Sequence, residues 1–197
     1  MSAEFILSAS SPDQFPRDGR PEIAFIGRSN VGKSSLLNTL TRRVNSRGGV
    51  QKKELAHVSR TPGRTQAVNF FLLEGRFYFV DLPGYGYAKA PRRLTSQWGK
   101  LAEGYLLHRE PLKLVVLIVD VRHGPTVLDH DMKDWLVAHD LPFVVAASKS
   151  DKLKAAERVR ATRAVQESFG RPTILLSAKT AEGIPALWDG IFNSLNA

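Results

Sequence analysis

The feature that most constrains the fold of this chain is a glycine-rich octapeptide near its N-terminus. Residues 27–34 read Gly-Arg-Ser-Asn-Val-Gly-Lys-Ser and match the pattern G-x-x-x-x-G-K-[ST]. An apolar run at 23–26 precedes them and helix-forming residues follow at 33–40, which predicts a strand, a loop and a helix. In such a unit, loop N–H groups and the positive end of the helix dipole face a phosphate. The predicted phosphate-binding residues are Gly27, Arg28, Ser29, Asn30, Val31, Gly32, Lys33, Ser34 and Ser35.

A second segment supplies groups that a magnesium–nucleoside triphosphate requires. Lys33 is expected to reach the β and γ phosphates and the Ser34 hydroxyl to ligate Mg²⁺. Asp81 follows the β-rich run 76–80, so we expect it at the same sheet edge, holding Mg²⁺ through water. Gly84 has no side chain to block its N–H from the γ-phosphate. The candidate residues here are Asp81, Leu82, Pro83 and Gly84.

A long polar segment, 44–64, separates these two motifs and shows no sustained periodicity. Loops of that length in compact domains are usually functional or disordered. Between residues 41 and 65, seven basic side chains face one acidic side chain. Thr61 or Thr65 could complete the magnesium shell when a γ-phosphate is present. We favour Thr65, nearest the next strand, with Gly63 and Arg64 beside it at the nucleotide.

Two later strand ends carry groups suited to a guanine base. Asp151 lies just after the apolar run 143–147, and its carboxylate can accept from both the N1 and N2 donors of guanine, a pair that adenine lacks. After the run 174–176, a backbone N–H could donate to guanine O6 and Lys179 could pack on the ring. The candidate base-binding residues are Ser148, Lys149, Ser150, Asp151, Ser177, Ala178 and Lys179.

The order of apolar runs predicts a doubly wound α/β fold. Runs 114–119 and 143–147 lack polar alternation, as in parallel strands covered on both faces. Runs 68–73 and 76–80 are separated by two residues and predict an antiparallel hairpin. We therefore expect a mostly parallel six-stranded sheet with one antiparallel edge strand, helices on both faces and the ligand at the carboxyl ends of the strands.

The remaining chain organisation is simple. Residues 1–20 are expected to be an irregular leader, able to add a short edge element at Ile6 and Leu7, and residues 21–197 a single domain. The longest aliphatic run, 114–119, is far too short to span a membrane. The N-terminus lacks a signal-peptide layout. We therefore expect a cytoplasmic protein without a membrane partner, and, since no dimer seam is visible, a monomer.

Composition adds a preference for polyanions. The formal net charge is +9 and the sequence pI is near 10.0, so long-range fields attract nucleic acid. There is no cysteine, which excludes a disulfide framework and thiolate metal sites.

From residue 22 to 195 the sequence resembles the Ras-like GTPase superfamily and, more narrowly, the EngB (YihA or YsxC) family of bacterial ribosome-assembly GTPases. The narrower match lies in residues 27–35, in Pro62-Gly63-Arg64-Thr65-Gln66 and in Asp81-Leu82-Pro83-Gly84-Tyr85-Gly86-Tyr87. The resemblance implies binding and hydrolysis of GTP, with GDP as product. It also implies a role with rRNA in building the large ribosomal subunit, and a link to cell division and septation.

Two positions depart from the wider superfamily. Ser148 stands where most GTPases have asparagine, which leaves its contact open. Tyr85 stands where Ras-like enzymes place the glutamine that orients the attacking water, so we assign no catalytic side chain. Related GTPases with this replacement use a P-loop asparagine to hold potassium, and Asn30 matches it. The hypothesis is slow hydrolysis that K⁺, a ribosomal particle or both accelerate.

Two other classes of function remain open at this point. A GTP-bound RNA-binding scaffold without hydrolysis is compatible with Tyr85. A P-loop kinase or ATPase would share the first motif only and would leave the motifs at Asp151 and Ser177 unexplained.

Overall fold

The computed structural model describes residues 2–44, 67–86 and 92–197, with the backbone alone for 42–44 and 92–98. Its strands are β1 (Ala3–Ala9), β2 (Glu22–Gly27), β3 (Val68–Leu73), β4 (Phe77–Asp81), β5 (Leu112–Asp120), β6 (Phe143–Ser148) and β7 (Thr173–Leu175). Its α-helices are α1 (Lys33–Val44), α2 (Arg92–His108), α3 (Val127–Ala138), α4 (Ala155–Phe169) and α5 (Ile184–Leu195).

The strands form one mixed sheet in the order β1-β3-β4-β2-β5-β6-β7. From β4 to β7 every neighbouring pair is parallel. β3 and β4 form the predicted antiparallel hairpin, with three residues, 74–76, between the strands in place of the predicted two. Every residue of β2 is buried, as expected when helices cover both faces. The predicted α/β fold is therefore confirmed.

The sheet has seven strands among the described residues, so the predicted count of six is wrong by one. The additional strand, β1, lies in the predicted leader, at the site where Ile6 and Leu7 are expected to be able to add a short edge element, and it pairs antiparallel with β3. The antiparallel strand β3 is therefore second from the edge. Along β1 the burial does not alternate, and the register with β3 shifts between Phe5 and Leu7.

Two apolar cores lie on opposite faces of the sheet. One contains side chains of α2, α3 and α4, such as Tyr105, Leu136 and Phe169. The other contains side chains of α1 and α5, such as Leu37 and Leu187. The two cores hold the sheet between helical layers, so the loops at its carboxyl edge are supported from both sides. None of the helices among the described residues combines the length and the apolar composition of a membrane span.

A buried ionic cluster lies at the other end of β2. The Glu22 carboxylate is 0% exposed and accepts hydrogen bonds from the Tyr105 hydroxyl at 2.7 Å and from Arg109 Nε at 3.0 Å. Arg109 also donates to the carbonyl of Pro16. The cluster fixes the C-terminal end of α2 to the first residue of β2.

Candidate functional site

The predicted phosphate-binding loop runs from the end of β2 to the start of α1 at Lys33. A Cβ at Gly27 would lie 2.7 Å from the Ile118 carbonyl oxygen, so packing against β5 leaves room only for glycine. Asn30 and Gly32 have positive φ angles of 65° and 104°, which turn the chain into the helix. Ser34 follows in the first turn of α1, where backbone N–H groups have no intrahelical partner.

The loop and the second motif meet through an ion pair. Lys33 Nζ pairs with Oδ1 of Asp81, although the two residues are 48 positions apart. Asp81 ends β4 and is 5% exposed. The Leu82 N–H donates to the Phe25 carbonyl at 3.1 Å. This bond keeps the first residue after β4 beside β2. The predicted convergence of the two motifs is therefore present in the fold.

Residues 84–86 lie against the phosphate-binding loop. The Tyr85 N–H donates to the Gly27 carbonyl at 3.2 Å, and the Ser29 N–H donates to the Tyr85 carbonyl at 3.1 Å. A Cβ at Gly84 would lie 3.1 Å from both the Gly27 carbonyl oxygen and the Ser29 nitrogen. Glycine at position 84 therefore allows this backbone-to-backbone contact without a displacement of the neighbouring main chain.

The Tyr85 side chain is directed toward α3. Its hydroxyl donates to Asp129 Oδ1 at 2.7 Å, while Asp129 Oδ2 accepts from the backbone N–H and the hydroxyl of Thr126 at the start of α3. Burial, followed by the negative charge of Asp129, raises the pKa of Tyr85 far above its usual range. The phenol therefore stays neutral, and its proton is engaged by Asp129.

The segment after β6 contacts the phosphate-binding loop from the other side. The Ser148 hydroxyl lies within hydrogen-bond distance of two carbonyl oxygens, at 2.7 Å from Val31 and 3.0 Å from Val119. Lys149 Nζ donates to the Asn30 carbonyl at 2.6 Å. Ser148 therefore ties the phosphate-binding loop to β5.

Asp120 is a residue of this site that the sequence analysis did not identify. Its carboxylate is 5% exposed, and it accepts from Lys149 Nζ at 2.9 Å and from Arg122 Nη2 at 2.7 Å. Burial raises the pKa of Asp120, but the hydrogen bonds from Arg122 and Lys149 outweigh it, so the pKa is lowered. An available signal was its place at the carboxyl end of the buried run 114–119.

The two candidate base-binding segments also meet. The Ser177 hydroxyl donates to Asp151 Oδ1 at 2.9 Å and accepts from the N–H groups of Lys179 and Thr180. The Ala178 carbonyl accepts from the Thr39 hydroxyl of α1 at 2.9 Å. Asp151 is therefore held in one orientation beside the 177–179 segment, as guanine recognition by these two segments requires.

The candidate residues Thr61, Gly63, Arg64 and Thr65, and most of the basic segment, lie outside the described residues. In the described part of the chain, no group of three or more His, Cys, Asp or Glu side chains could hold a metal by itself. The Ser34 hydroxyl and the Asp81 carboxylate are hard oxygen donors of the kind that Mg²⁺ prefers. Asp81 already pairs with the cationic side chain of Lys33, so the electrostatic environment of its carboxylate is suited to a positive charge.

A family model and a solved structure both resemble this chain. Residues 22–149 match the model of a family described as 50S ribosome-binding GTPase. A crystal structure of a probable GTP-binding protein EngB aligns with a TM-score of 0.67 at 25% identity, over 89% of this chain and 98% of that one. The chain is therefore a P-loop GTPase of the Ras-like class.

Sequence relatives narrow the class to one family. The "Probable GTP-binding protein EngB" of Solibacter usitatus is 46% identical over 197 residues, which cover 100% of this chain and 98% of that protein. The protein of the same name from Clostridium acetobutylicum is 45% identical over 198 residues, covering 98% and 94%. The chain belongs to the EngB family of GTP-binding proteins. This membership favours a GTPase over the kinase, ATPase and scaffold alternatives.

Proposed function

We propose that this GTPase is a guanine-nucleotide switch in the assembly of the large ribosomal subunit, and that normal cell division and septation need it. The observation that supports a switch is that four loops meet at the carboxyl ends of β2, β4, β6 and β7. The Lys33–Asp81 ion pair links two of these loops, and the hydrogen bond from Ser177 to Asp151 links the other two. The family description as ribosome-binding supports the partner. The formal charge of +9 suits a surface that docks on rRNA.

Each loop has a distinct role in the proposed site. Lys33 and the N–H groups at the start of α1 bind the β and γ phosphates. Asp151 selects guanine by accepting from N1 and N2, and Lys179 packs on the ring. Ser34, Asp81 through water, and Thr65 hold Mg²⁺, which when bound offsets negative charge on the phosphates.

Hydrolysis is proposed to be slow without a partner. The Tyr85 hydroxyl donates to Asp129, and the raised pKa of the phenol keeps it neutral, so it does not take the place of a water-orienting glutamine. Asn30, at a positive φ in the loop, is the residue proposed to hold K⁺. Exchange of Na⁺ for K⁺, or addition of large ribosomal subunits, should then raise the rate.

Domain organisation, oligomeric state and location complete the proposed function. We propose that residues 21–197 act as one GTPase domain, that the protein works as a monomer in the cytoplasm, and that the basic segment 44–64 contacts rRNA when GTP is bound. The local excess of six positive charges between residues 41 and 65 supports the last point.

Co-sedimentation with purified large ribosomal subunits tests the switch and its partner together. The protein should pellet with subunits in a non-hydrolysable GTP analogue more than in GDP, and binding should fall steeply as salt rises. Binding that ignores both the nucleotide and the salt concentration contradicts the proposal.

Single-turnover phosphate release tests the proposal on hydrolysis. The rate should be low in Na⁺ buffer and should rise in K⁺ buffer or with large subunits. A fast rate in Na⁺ without any partner would refute slow hydrolysis. No release under any condition would instead revive the scaffold alternative.

A further inference from the structure

Glu182, in the loop between β7 and α5, contacts both segments of the proposed guanine site. Its Oε2 accepts from the Ser150 hydroxyl at 2.6 Å. Its main-chain carbonyl accepts from the Ser177 N–H at 3.1 Å. Ser150 and Ser177 are each 0% exposed, whereas the Glu182 side chain is 35% exposed, so Glu182 extends from the surface to two buried serines. A single residue therefore links the loop after β6 to the loop after β7.

The serine that Glu182 holds lies between the two most important side chains of its segment. Ser150 stands between Lys149, which reaches the phosphate-binding loop, and Asp151, which accepts from Ser177. The Ser150 N–H also donates to the Leu176 carbonyl at 3.0 Å. A shift of Ser150 would therefore move Asp151 relative to the loop after β7.

Glu182 is itself held in place from two directions. Arg158 of α4 approaches its carboxylate, with Nη1 at 3.3 Å from Oε2 and 3.4 Å from Oε1. Gly183 follows with a φ of 71°, and a Cβ there would lie 1.9 Å from the Leu175 carbonyl oxygen. This close approach fixes the main chain at position 182 against β7.

We propose that Glu182 is a positioning residue for guanine selection, acting through Ser150 on Asp151. The inference rests on the proposed guanine site and adds to it a residue that does not touch the base. Removal of the carboxylate breaks the charge-assisted hydrogen bond that holds the Ser150 side chain. The turn at Ser150 then shifts, and Asp151 loses its alignment with the N1 and N2 donors.

The test compares GDP with inosine diphosphate, which lacks the N2 donor, by calorimetry on the full chain. In Glu182→Ala, GDP affinity should fall roughly tenfold, as expected for a lost charge-assisted hydrogen bond, and inosine diphosphate affinity should fall less. The ratio of the two affinities should therefore decrease. Glu182→Gln keeps an acceptor for Ser150 and should restore most of the ratio.

Two further variants separate positioning from general destabilisation. Glu167→Ala removes a carboxylate that is 64% exposed and paired with Arg163 on α4, and it should leave both affinities unchanged. Ser150→Ala should lower the ratio as Glu182→Ala does, and the double variant should be no worse than either alone. If Glu182→Ala does not fold, the Gln and Ser150→Ala variants still provide the measurement.

Different results would overturn the positioning role of Glu182 and the guanine site itself. Wild-type affinity and ratio in Glu182→Ala would overturn the positioning role alone. Equal losses for both diphosphates, together with a lower unfolding temperature, would likewise overturn it and indicate a purely structural role. No GDP binding by the wild-type chain would overturn the guanine site itself, and this inference with it.

Discussion

Replacement of Glu22 by alanine should destabilise the fold strongly while sparing nucleotide binding. The carboxylate is fully buried and accepts from the Tyr105 hydroxyl and from Arg109. Glu22→Ala leaves the Arg109 charge without its carboxylate, and Arg109 is only 15% exposed in its side chain. Breaking a buried ion pair from one side costs about 3–5 kcal/mol.

That cost translates into a large thermal shift. For a chain of this size, each kcal/mol lowers the midpoint of thermal unfolding by about 2–4 °C, so Glu22→Ala should lower it by about 6–20 °C. Glu22→Gln keeps an acceptor for one donor and should lose about 1.5–3 kcal/mol. Circular dichroism during heating, and urea titration, measure both variants.

Nucleotide affinity provides the internal control. Glu22 and Gly27 are the first and last residues of β2, about 16 Å apart at ~3.3 Å per residue. The folded variant should therefore bind GDP within about threefold of wild type, a difference of ~0.65 kcal/mol. A destabilisation below about 1 kcal/mol, or no coupling to Arg109→Ala in a double-mutant cycle, would refute the reasoning.

Three further predictions concern the site. Asp151→Asn should shift the nucleotide preference from GTP toward xanthosine triphosphate, because xanthine carries an acceptor where guanine has the N2 donor. Unchanged GTP affinity of the variant in competition binding would count against the role of Asp151. Gly183→Ala should cost about 2–5 kcal/mol in urea unfolding, since a Cβ would meet the Leu175 carbonyl at a φ of 71°; wild-type stability would contradict this contact. Asp120→Asn should make the free energy of unfolding depend less on pH at acidic pH. Because the pKa of Asp120 is lowered in the fold, its charged form stabilises the fold fully above its ordinary pKa of 3.8. This stability is lost as pH falls toward the lower folded value. An unchanged pH dependence in the variant would show that the hydrogen bonds from Arg122 and Lys149 to Asp120 do not stabilise the fold.

The parts of the fold that follow from periodicity could be predicted from the sequence. The buried runs of β5 and β6, the hairpin of β3 and β4, and the strand-loop-helix unit at Gly27 each have a local pattern with a physical cause. Strand β1 has no such pattern, because its partner supplies the pairing from a distant segment. The apolar pair Ile6 and Leu7 indicates only a short edge element, and the full length and register of β1 depend on its pairing with β3.

The same distinction applies to the site. Glycines, Lys33, Asp81 and Asp151 belong to spaced motifs and could be predicted. Asp120 and Glu182 are single carboxylates without a motif, and their importance comes from partners 29 and 32 residues away along the chain. Ser148 was identified by its motif, but its hydroxyl bonds two carbonyls inside the fold, a contact that depends on how β5 and the phosphate-binding loop pack.

The ion pair between Lys33 and Asp81 connects phosphate binding to the need for a cation. A phosphate that takes Lys33 competes directly with Asp81, whose carboxylate is 5% exposed. A carboxylate that buried is costly when it loses its positive partner, so phosphate binding alone is partly offset by the ion pair that it breaks. A divalent cation near Asp81 removes that penalty, and the phosphates in turn supply the ligands that the described residues cannot provide by themselves. Nucleotide and Mg²⁺ should therefore bind with positive coupling, each strengthening the other by the same factor. This coupling follows from one lysine at the start of α1 and one buried carboxylate at the end of β4.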